Sequence, residues 1–173
     1  MRALLVHAHS PQNLGPQDRS LQLARKKAYV PPLGLLTVAG LLPADWSLKL
    51  VDLTFQEIDS KDWSGCDLVL ISGATVQMAS ILKLIRESKR RGKIVAVGGP
   101  AVFHVHDKIL QSGADFVVKG EGELTVPMLV ESLGRQEYGI VIESPGIADM
   151  TRSPVPRYDL LDMDAYSEMS MQF

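Results

Sequence analysis

The sequence of 173 residues has one cysteine, almost no net charge and no long apolar run. The lone Cys66 excludes an internal disulfide framework and is typical of a reducing cytoplasm, where we expect this protein to work. A net charge of −2 argues against a nucleic-acid partner. No stretch approaches the roughly 20 apolar residues that cross a bilayer, and no signal peptide is recognisable. We therefore expect neither a transmembrane segment nor a secretion signal.

Common catalytic and nucleotide-binding motifs are also missing. The sequence contains no phosphate-binding Walker loop, no Gly-x-Ser-x-Gly nucleophile turn and no Gly-x-Gly-x-x-Gly after its first apolar run. His104 and His106 are two residues apart, which places them on different faces of a helix, and no cysteine or carboxylate cluster accompanies them. The sequence therefore predicts neither catalytic residues nor a metal site in this chain.

Short apolar runs bounded by glycine alternate with helical patterns along the chain. These runs predict parallel strands at 2–6, 48–51, 67–71, 94–97 and 115–118, with a candidate sixth strand at 140–142. The helical patterns lie at 33–42, from Met78 to Gly92, at 102–111 and at 125–133. This alternation predicts an α/β fold: a doubly wound, flavodoxin-like (Rossmann-like) parallel sheet of about five strands with helices on both faces.

Three glycine-marked turns follow the third, fourth and fifth predicted strands. They are Ser72-Gly73, Gly98-Gly99-Pro100 and Gly120-Glu121-Gly122-Glu123. In an open α/β sheet, ligands bind outside the carboxyl ends of the strands, and glycine lets the backbone approach a ligand because it has no Cβ. The turns therefore predict a binding site for a large ligand at one edge of the sheet.

Each turn also has a purely structural interpretation. Ser72 could cap a turn, Gly98-Gly99-Pro100 could serve only the backbone conformation, and Gly120 to Glu123 could simply begin a helix whose dipole favours the two acids. Thr75 and Gln77 follow the first turn and either contact the ligand or cap the next helix. The residues alone leave these alternatives open.

The sequence changes character after Ser144. Prolines and polar residues dominate the tail, and the stretch Arg152-Ser153-Pro154-Val155-Pro156-Arg157-Tyr158 has no clear periodicity. Such composition is typical of a linker or a docking strap. We therefore divide the chain into an α/β domain at 1–144 and a linker or strap at 145–173, which we expect to lead into a further domain.

Several short segments occur in a distinctive order, and each of them is unspecific alone. They are Pro31-Pro32-Leu33-Gly34-Leu35-Leu36, Val51-Asp52, Ile71-Ser72-Gly73, Val97-Gly98-Gly99-Pro100, Gly120-Glu121-Gly122-Glu123, 152–157 and Met169-Ser170-Met171-Gln172-Phe173. In this order and spacing they resemble the amino-terminal cobalamin-binding domain of cobalamin-dependent radical S-adenosylmethionine (SAM) enzymes, in the branch that includes the hopanoid C-2 methylase.

The resemblance implies a module that holds base-off (methyl)cobalamin as a methyl carrier, and that is inactive alone. The full enzyme would be a methylase acting on a small-molecule or lipid-like substrate. Its radical SAM domain would carry a [4Fe–4S] cluster and bind S-adenosylmethionine. That domain would be the partner of this module, because a chain with one cysteine cannot provide the cluster's Cys-x-x-x-Cys-x-x-Cys motif.

The resemblance also assigns site residues. Cobalamin-binding domains carry Ser-x-Leu after the third strand and Gly-Gly after the fourth. Ser72-Gly73-Ala74 keeps the serine but has alanine for leucine, and Gly98-Gly99 matches fully. Ser72 would hydrogen-bond the dimethylbenzimidazole base, Gly98-Gly99 would let the nucleotide tail pass, and 120–123 would flank the corrin. The cofactor-binding residues predicted in this way are Gly34, Ser72, Gly73, Thr75, Gln77, Gly98, Gly99, Pro100, Gly120, Glu121, Gly122 and Glu123.

The first turn departs from the well-known cobalamin motif Asp-x-His-x-x-Gly, whose histidine binds cobalt. The stretch His7-Ala8-His9-Ser10-Pro11-Gln12 lacks the aspartate and the glycine, as do many radical SAM relatives. We therefore expect His9 to be a polar loop residue, with a cobalt ligand as the alternative.

Two other functions share the predicted fold. One is a flavin- or nucleotide-binding domain. The other is a degenerate signalling receiver, with Lys119 suitably placed but Ser72 where a receiver has its phosphorylated aspartate.

Overall fold

The computed structural model describes residues 1–10 and 21–167, and these residues form a six-stranded parallel sheet. The strand order is β2-β1-β3-β4-β5-β6, so the direction of winding reverses between β1 and β3. The predicted doubly wound, flavodoxin-like fold is confirmed, and the candidate sixth strand is present. The strands are β1 Arg2–His7, β2 Ser47–Asp52, β3 Leu68–Ser72, β4 Ile94–Gly98, β5 Phe116–Lys119 and β6 Ile140–Glu143.

Helices cover both faces of the sheet. Within the described residues they are α1 Leu33–Leu41, α2 Ser60–Gly65, α3 Met78–Arg90, α4 Val102–Gln111 and α5 Gly122–Arg135. Helices α1 and α5 pack against each other on one face, while α2, α3 and α4 cover the other. No helix in the described part of the chain is both long enough and apolar enough to cross a membrane.

The two faces have separate apolar cores because side chains alternate along each strand. Leu4 and Val6 of β1 point towards α3, whereas Leu5 points towards α1. Cys66 lies in the α3 core, where burial raises the pKa of its thiol and keeps it protonated. The strands therefore lie between two apolar layers.

The described part of the tail packs onto the α/β domain. The Tyr166 hydroxyl donates a hydrogen bond to Asp52 Oδ2 at 3.0 Å, and both residues are only 1% exposed. The backbone N–H of Arg157 donates to Leu36 O of α1 at 3.1 Å. Gly40 makes room for the crossing chain, because an added Cβ would lie 3.0 Å from Val155 O. The aperiodic composition of the tail did not predict this burial, and the domain boundary after Ser144 stays a prediction.

Candidate functional site

A cavity of about 340 Å³ opens at the carboxyl edge of the sheet, between α1 and α5. Strand β4 provides the space, because the two residues that it places at the cavity, Ala96 and Gly98, are small. In the register of the sheet these residues lie beside Leu70 and Ser72 of β3. Ligand pockets in proteins measure roughly 300–1,000 Å³, so the cavity is large enough for part of a ligand.

The inner wall of the cavity is largely apolar, and its polar side chains other than Thr125 lie at the rim. The rim comprises Leu33, Gly34, Thr37, Val38, Ser72, Gly98, Gly99, Val118, Gly120 to Glu123 and Met150. The inner wall comprises Leu35, Leu70, Ile71, Ala96, Thr125, Val126 and Leu129, all of which are buried. An apolar group of a ligand can enter this space while its polar remainder stays at the sheet edge.

Three hydroxyl groups line the cavity, and two of them already donate hydrogen bonds. Thr37 Oγ1 donates to Leu33 O at 3.1 Å, and Thr125 Oγ1 donates to Glu121 O at 2.9 Å. The Ser72 hydroxyl has no partner among the described residues. Ser72 is therefore the hydroxyl of the lining that is available to donate a hydrogen bond to a ligand.

Two rim glycines are required by the backbone and its close neighbours. Gly99 has φ +84°, and an added Cβ would lie 2.5 Å from Ser72 Oγ. Gly120 has φ +102°, and its Cβ would lie 2.5 Å from Ser144 Cβ. L-residues rarely adopt this left-handed conformation, so glycine at both positions permits the turns and leaves bare backbone at the rim.

The rim also receives contacts from the tail. Ser153 Oγ donates to Glu123 Oε1 at 2.6 Å, and Met150 lines the cavity directly. Sequence reasoning missed Met150, because a methionine in an aperiodic stretch carries no local signal of a ligand. It also missed the α1 and α5 residues of the wall, whose apolar patterns look like ordinary core.

Four predicted site residues do not line the cavity: Gly73, Thr75, Gln77 and Pro100. Gln77 is buried, its Oε1 accepts a hydrogen bond from Ala74 N at 2.7 Å, and its Nε2 donates to Ala8 O. This amide therefore joins the ends of β1 and β3. Gly73 packs against this amide: a Cβ added at Gly73 would lie 3.0 Å from Gln77 Oε1. A ligand contact at any of these four residues stays a prediction.

The histidines of β1 and its following turn lie at the same edge. His9 Nδ1 is 2.9 Å from Leu53 O, its backbone N–H donates to Ser80 Oγ at 3.0 Å, and the residue lies outside the cavity lining. Sequence reasoning missed His7, which pairs with Ser72 in the sheet. Burial lowers the pKa of His7, and the nearby Asp52 carboxylate opposes this shift only partly. His7 therefore presents a neutral imidazole next to the strand that carries Ser72.

Lys119 does not have the surroundings that a receiver domain requires. Its Nζ lies 2.8 Å from Glu143 Oε1, and this pairing lowers the pKa of the Glu143 carboxyl. The strand beside it ends in Gly98, and the next one ends in Ser72, so no carboxylate at these strand ends faces the lysine.

Comparisons with known proteins agree with this geometry. Residues 20–130 match the family described as the B12 binding domain. An uncharacterized methyltransferase of Synechocystis sp. is 44% identical over 173 residues, which is 100% of this chain and 32% of that protein. The hopanoid C-2 methylase of Rhodopseudomonas palustris is 30% identical over 177 residues, covering 99% of this chain and 33% of that protein.

A third relative carries a different name. The anaerobic magnesium-protoporphyrin IX monomethyl ester cyclase of Synechocystis sp. is 29% identical over 170 residues, covering 88% of this chain and 34% of that protein. The chain thus spans about a third of the length of these relatives.

Proposed function

This chain belongs to the B12-binding domain family, and we propose that its cavity between α1 and α5 holds the nucleotide tail of cobalamin. The observation that carries this proposal is an apolar cavity with one available hydroxyl, placed where a parallel sheet binds its ligands. The family favours cobalamin over the flavin and receiver alternatives.

The residues present fit the lower base of cobalamin. Dimethylbenzimidazole is a flat apolar base that, when released from cobalt, has one ring nitrogen free to accept a hydrogen bond. Leu70, Val126 and Leu129 offer apolar surface, and the Ser72 hydroxyl can donate to that nitrogen. The cavity is too small for the whole cofactor, so we place the corrin outside, against the rim at 120–123.

The cofactor supplies an activated methyl group when methylcobalamin is bound. The residues of this chain bind and orient it and exclude water: Ser72 fixes the base, the buried leucines keep the cavity dry, and Gly98 and Gly99 let the tail pass close to the backbone. We propose His9 as a polar loop residue with no cobalt ligation, because its turn lacks the aspartate and the glycine of the Asp-x-His-x-x-Gly motif.

The full enzyme is proposed as a methylase with a radical SAM domain, a [4Fe–4S] cluster and S-adenosylmethionine. Support comes from relatives about three times as long as this chain, two of which are named as a methyltransferase and a methylase. We propose that the radical SAM domain follows the tail, that the module works in the cytoplasm, and that the substrate is a small molecule or a lipid.

Retention of cobalamin by the purified chain tests the proposal. The chain is mixed with excess hydroxocobalamin under reducing conditions and desalted, and its visible spectrum is recorded. We expect retained cobalamin with a base-off spectrum, because the base would be buried in the cavity. A colourless protein, both for this chain and for one extended into the following domain, would overturn the proposal.

A matched pair of variants tests the cavity itself. Gly34 and Gly134 both lie in helices with no atom within 4 Å of an added Cβ, but only Gly34 lines the cavity. Gly34→Leu should lower cobalamin affinity by roughly tenfold or more, because a leucine side chain at the cavity rim would compete with the base for space. Gly134→Leu should fold equally well and bind normally. Equal binding by both variants would place the tail elsewhere.

A further inference from the structure

We propose that this cavity selects the lower base of the corrinoid, binding cobamides with a benzimidazole base in preference to those with a purine base such as adenine. The inference rests on the proposed function, because it concerns the same cavity.

The cavity offers a bound base few polar side-chain groups. Ser72 carries the one side-chain hydroxyl of the lining that has no partner within the described residues. The hydroxyls of Thr37 and Thr125 already donate to Leu33 O and Glu121 O, so neither can also donate to a ring nitrogen of the base. The carboxylates Glu121 and Glu123 lie at the rim, and Glu123 already accepts from Ser153. The inner wall otherwise consists of aliphatic side chains.

Dimethylbenzimidazole and adenine differ in the number of polar groups that must be satisfied when the base is buried. Dimethylbenzimidazole offers one free ring nitrogen, which a single hydroxyl satisfies, and its two methyl groups gain from apolar surface. Adenine has the equivalent nitrogen and adds two ring nitrogens and an amino group. Against Leu70, Val126 and Leu129 these additional groups find no side-chain partner.

The expected preference follows from the cost of burying unpaired polar groups. Each such group weakens binding by roughly 5- to 150-fold. We expect adeninylcobamide to bind at least about tenfold more weakly than cobalamin, since an adenine tilted towards the rim still leaves one or more of its polar groups against the aliphatic wall. Cobinamide, which has no nucleotide tail, should bind more weakly than cobalamin for lack of any base in the cavity.

Equilibrium dialysis of the chain against these three corrinoids, read by absorbance, tests the inference. Cobalamin binding at least tenfold tighter than adeninylcobamide supports it. Equal binding of these two, with weaker cobinamide, overturns the inference and leaves the proposed function intact. Cobinamide binding as tightly as cobalamin would show that the cavity holds no base and overturns both. Failure of all three to bind, both to this chain and to one extended into the following domain, contradicts the proposed function itself.

A second matched pair of variants tests whether a side chain of the cavity sets the preference for cobalamin over adeninylcobamide. Val118 of β5 is half-buried and lines the cavity, whereas Val141 of β6 is exposed and does not line it. Threonine has nearly the same shape as valine and suits a strand. Val118→Thr adds a hydroxyl facing the base and should narrow the preference for cobalamin by roughly three- to tenfold. Val141→Thr should leave the preference unchanged. An unchanged preference in Val118→Thr would contradict selection of the base by the side chains that line the cavity.

Discussion

Replacement of Gly99 by alanine should damage both folding and cobalamin binding, and the structure separates its two costs. Gly99 has φ +84°, and an L-residue in this left-handed region costs roughly 1–2 kcal/mol. An added Cβ would also lie 2.5 Å from Ser72 Oγ and 3.1 Å from both the N and the O of Gly73. Rotation of the serine side chain relieves the first contact but leaves the two backbone contacts.

Gly139 provides the matched control. Its φ is +78°, close to that of Gly99, but no atom lies within 4 Å of an added Cβ. Gly139→Ala should therefore lower the free energy of unfolding by only the conformational cost, roughly 1–2 kcal/mol. Gly99→Ala should lose about 1–3 kcal/mol more, which is the usual cost of forcing an extra carbon into a packed site.

Urea denaturation followed by circular dichroism measures both losses, and titration with cobalamin measures binding. Because the clash falls on the hydroxyl proposed to hold the base, Gly99→Ala should also bind cobalamin roughly fivefold or more weakly, while Gly139→Ala binds normally. Equal destabilisation by the two substitutions would refute the close packing of Gly99 against Ser72. Normal binding by a folded Gly99→Ala protein would refute the role of this turn in the site.

Two further predictions concern buried hydroxyl groups. Tyr166→Phe leaves the buried Asp52 carboxylate without this donor and should lower the free energy of unfolding by roughly 1–3 kcal/mol. Burial and the Asp52 charge hold the pKa of Tyr166 above its usual value, so the unfolded chain releases this proton above about pH 10 while the folded chain keeps it. The free energy of unfolding should therefore fall as the pH rises beyond that point, and it should fall less steeply in Tyr166→Phe. Urea denaturation at several pH values measures this dependence. The same slope in both proteins would contradict the buried pairing of Tyr166 with Asp52. Ser88→Ala removes a buried hydroxyl that has no partner among the described residues, so urea denaturation should find stability unchanged or raised by up to about 1 kcal/mol; a clear loss would mean that this hydroxyl has a partner.

The strands were predictable because their signal is local. Runs such as Leu68 to Ile71 and Ile94 to Val97 are apolar, rich in β-branched residues and bounded by glycine. The structure extends several strands by one residue beyond the apolar run, to His7, Ser72 and Gly98. These residues continue the backbone pairing, but they are polar or lack a side chain, so composition alone ends the strand before them. The same residues lie at or beside the cavity.

The candidate site was predictable where it depends on turns. The glycines at 98–99 and 120–122 line the cavity as expected, because the carboxyl ends of parallel strands meet at one edge. The partners of Gln77 were not predictable in this way. Its position after a turn suits a ligand contact, but its amide is hydrogen-bonded to the backbone of Ala8 and Ala74. Which partner a polar side chain takes depends on the distance between segments that are remote in the chain.

By itself the sequence determined the alternation of strands and helices and the edge of the sheet where the glycine turns converge, because both follow from short-range patterns of apolar residues and glycine. The tertiary structure alone decided the depth of the cavity, the availability of the Ser72 hydroxyl and the contact of Met150 with the rim. It also decided the burial of Tyr166 against Asp52, which lies 114 positions away in the chain. The physical reason is that burial and hydrogen bonding are settled between distant segments, and a local pattern does not record which segments will meet.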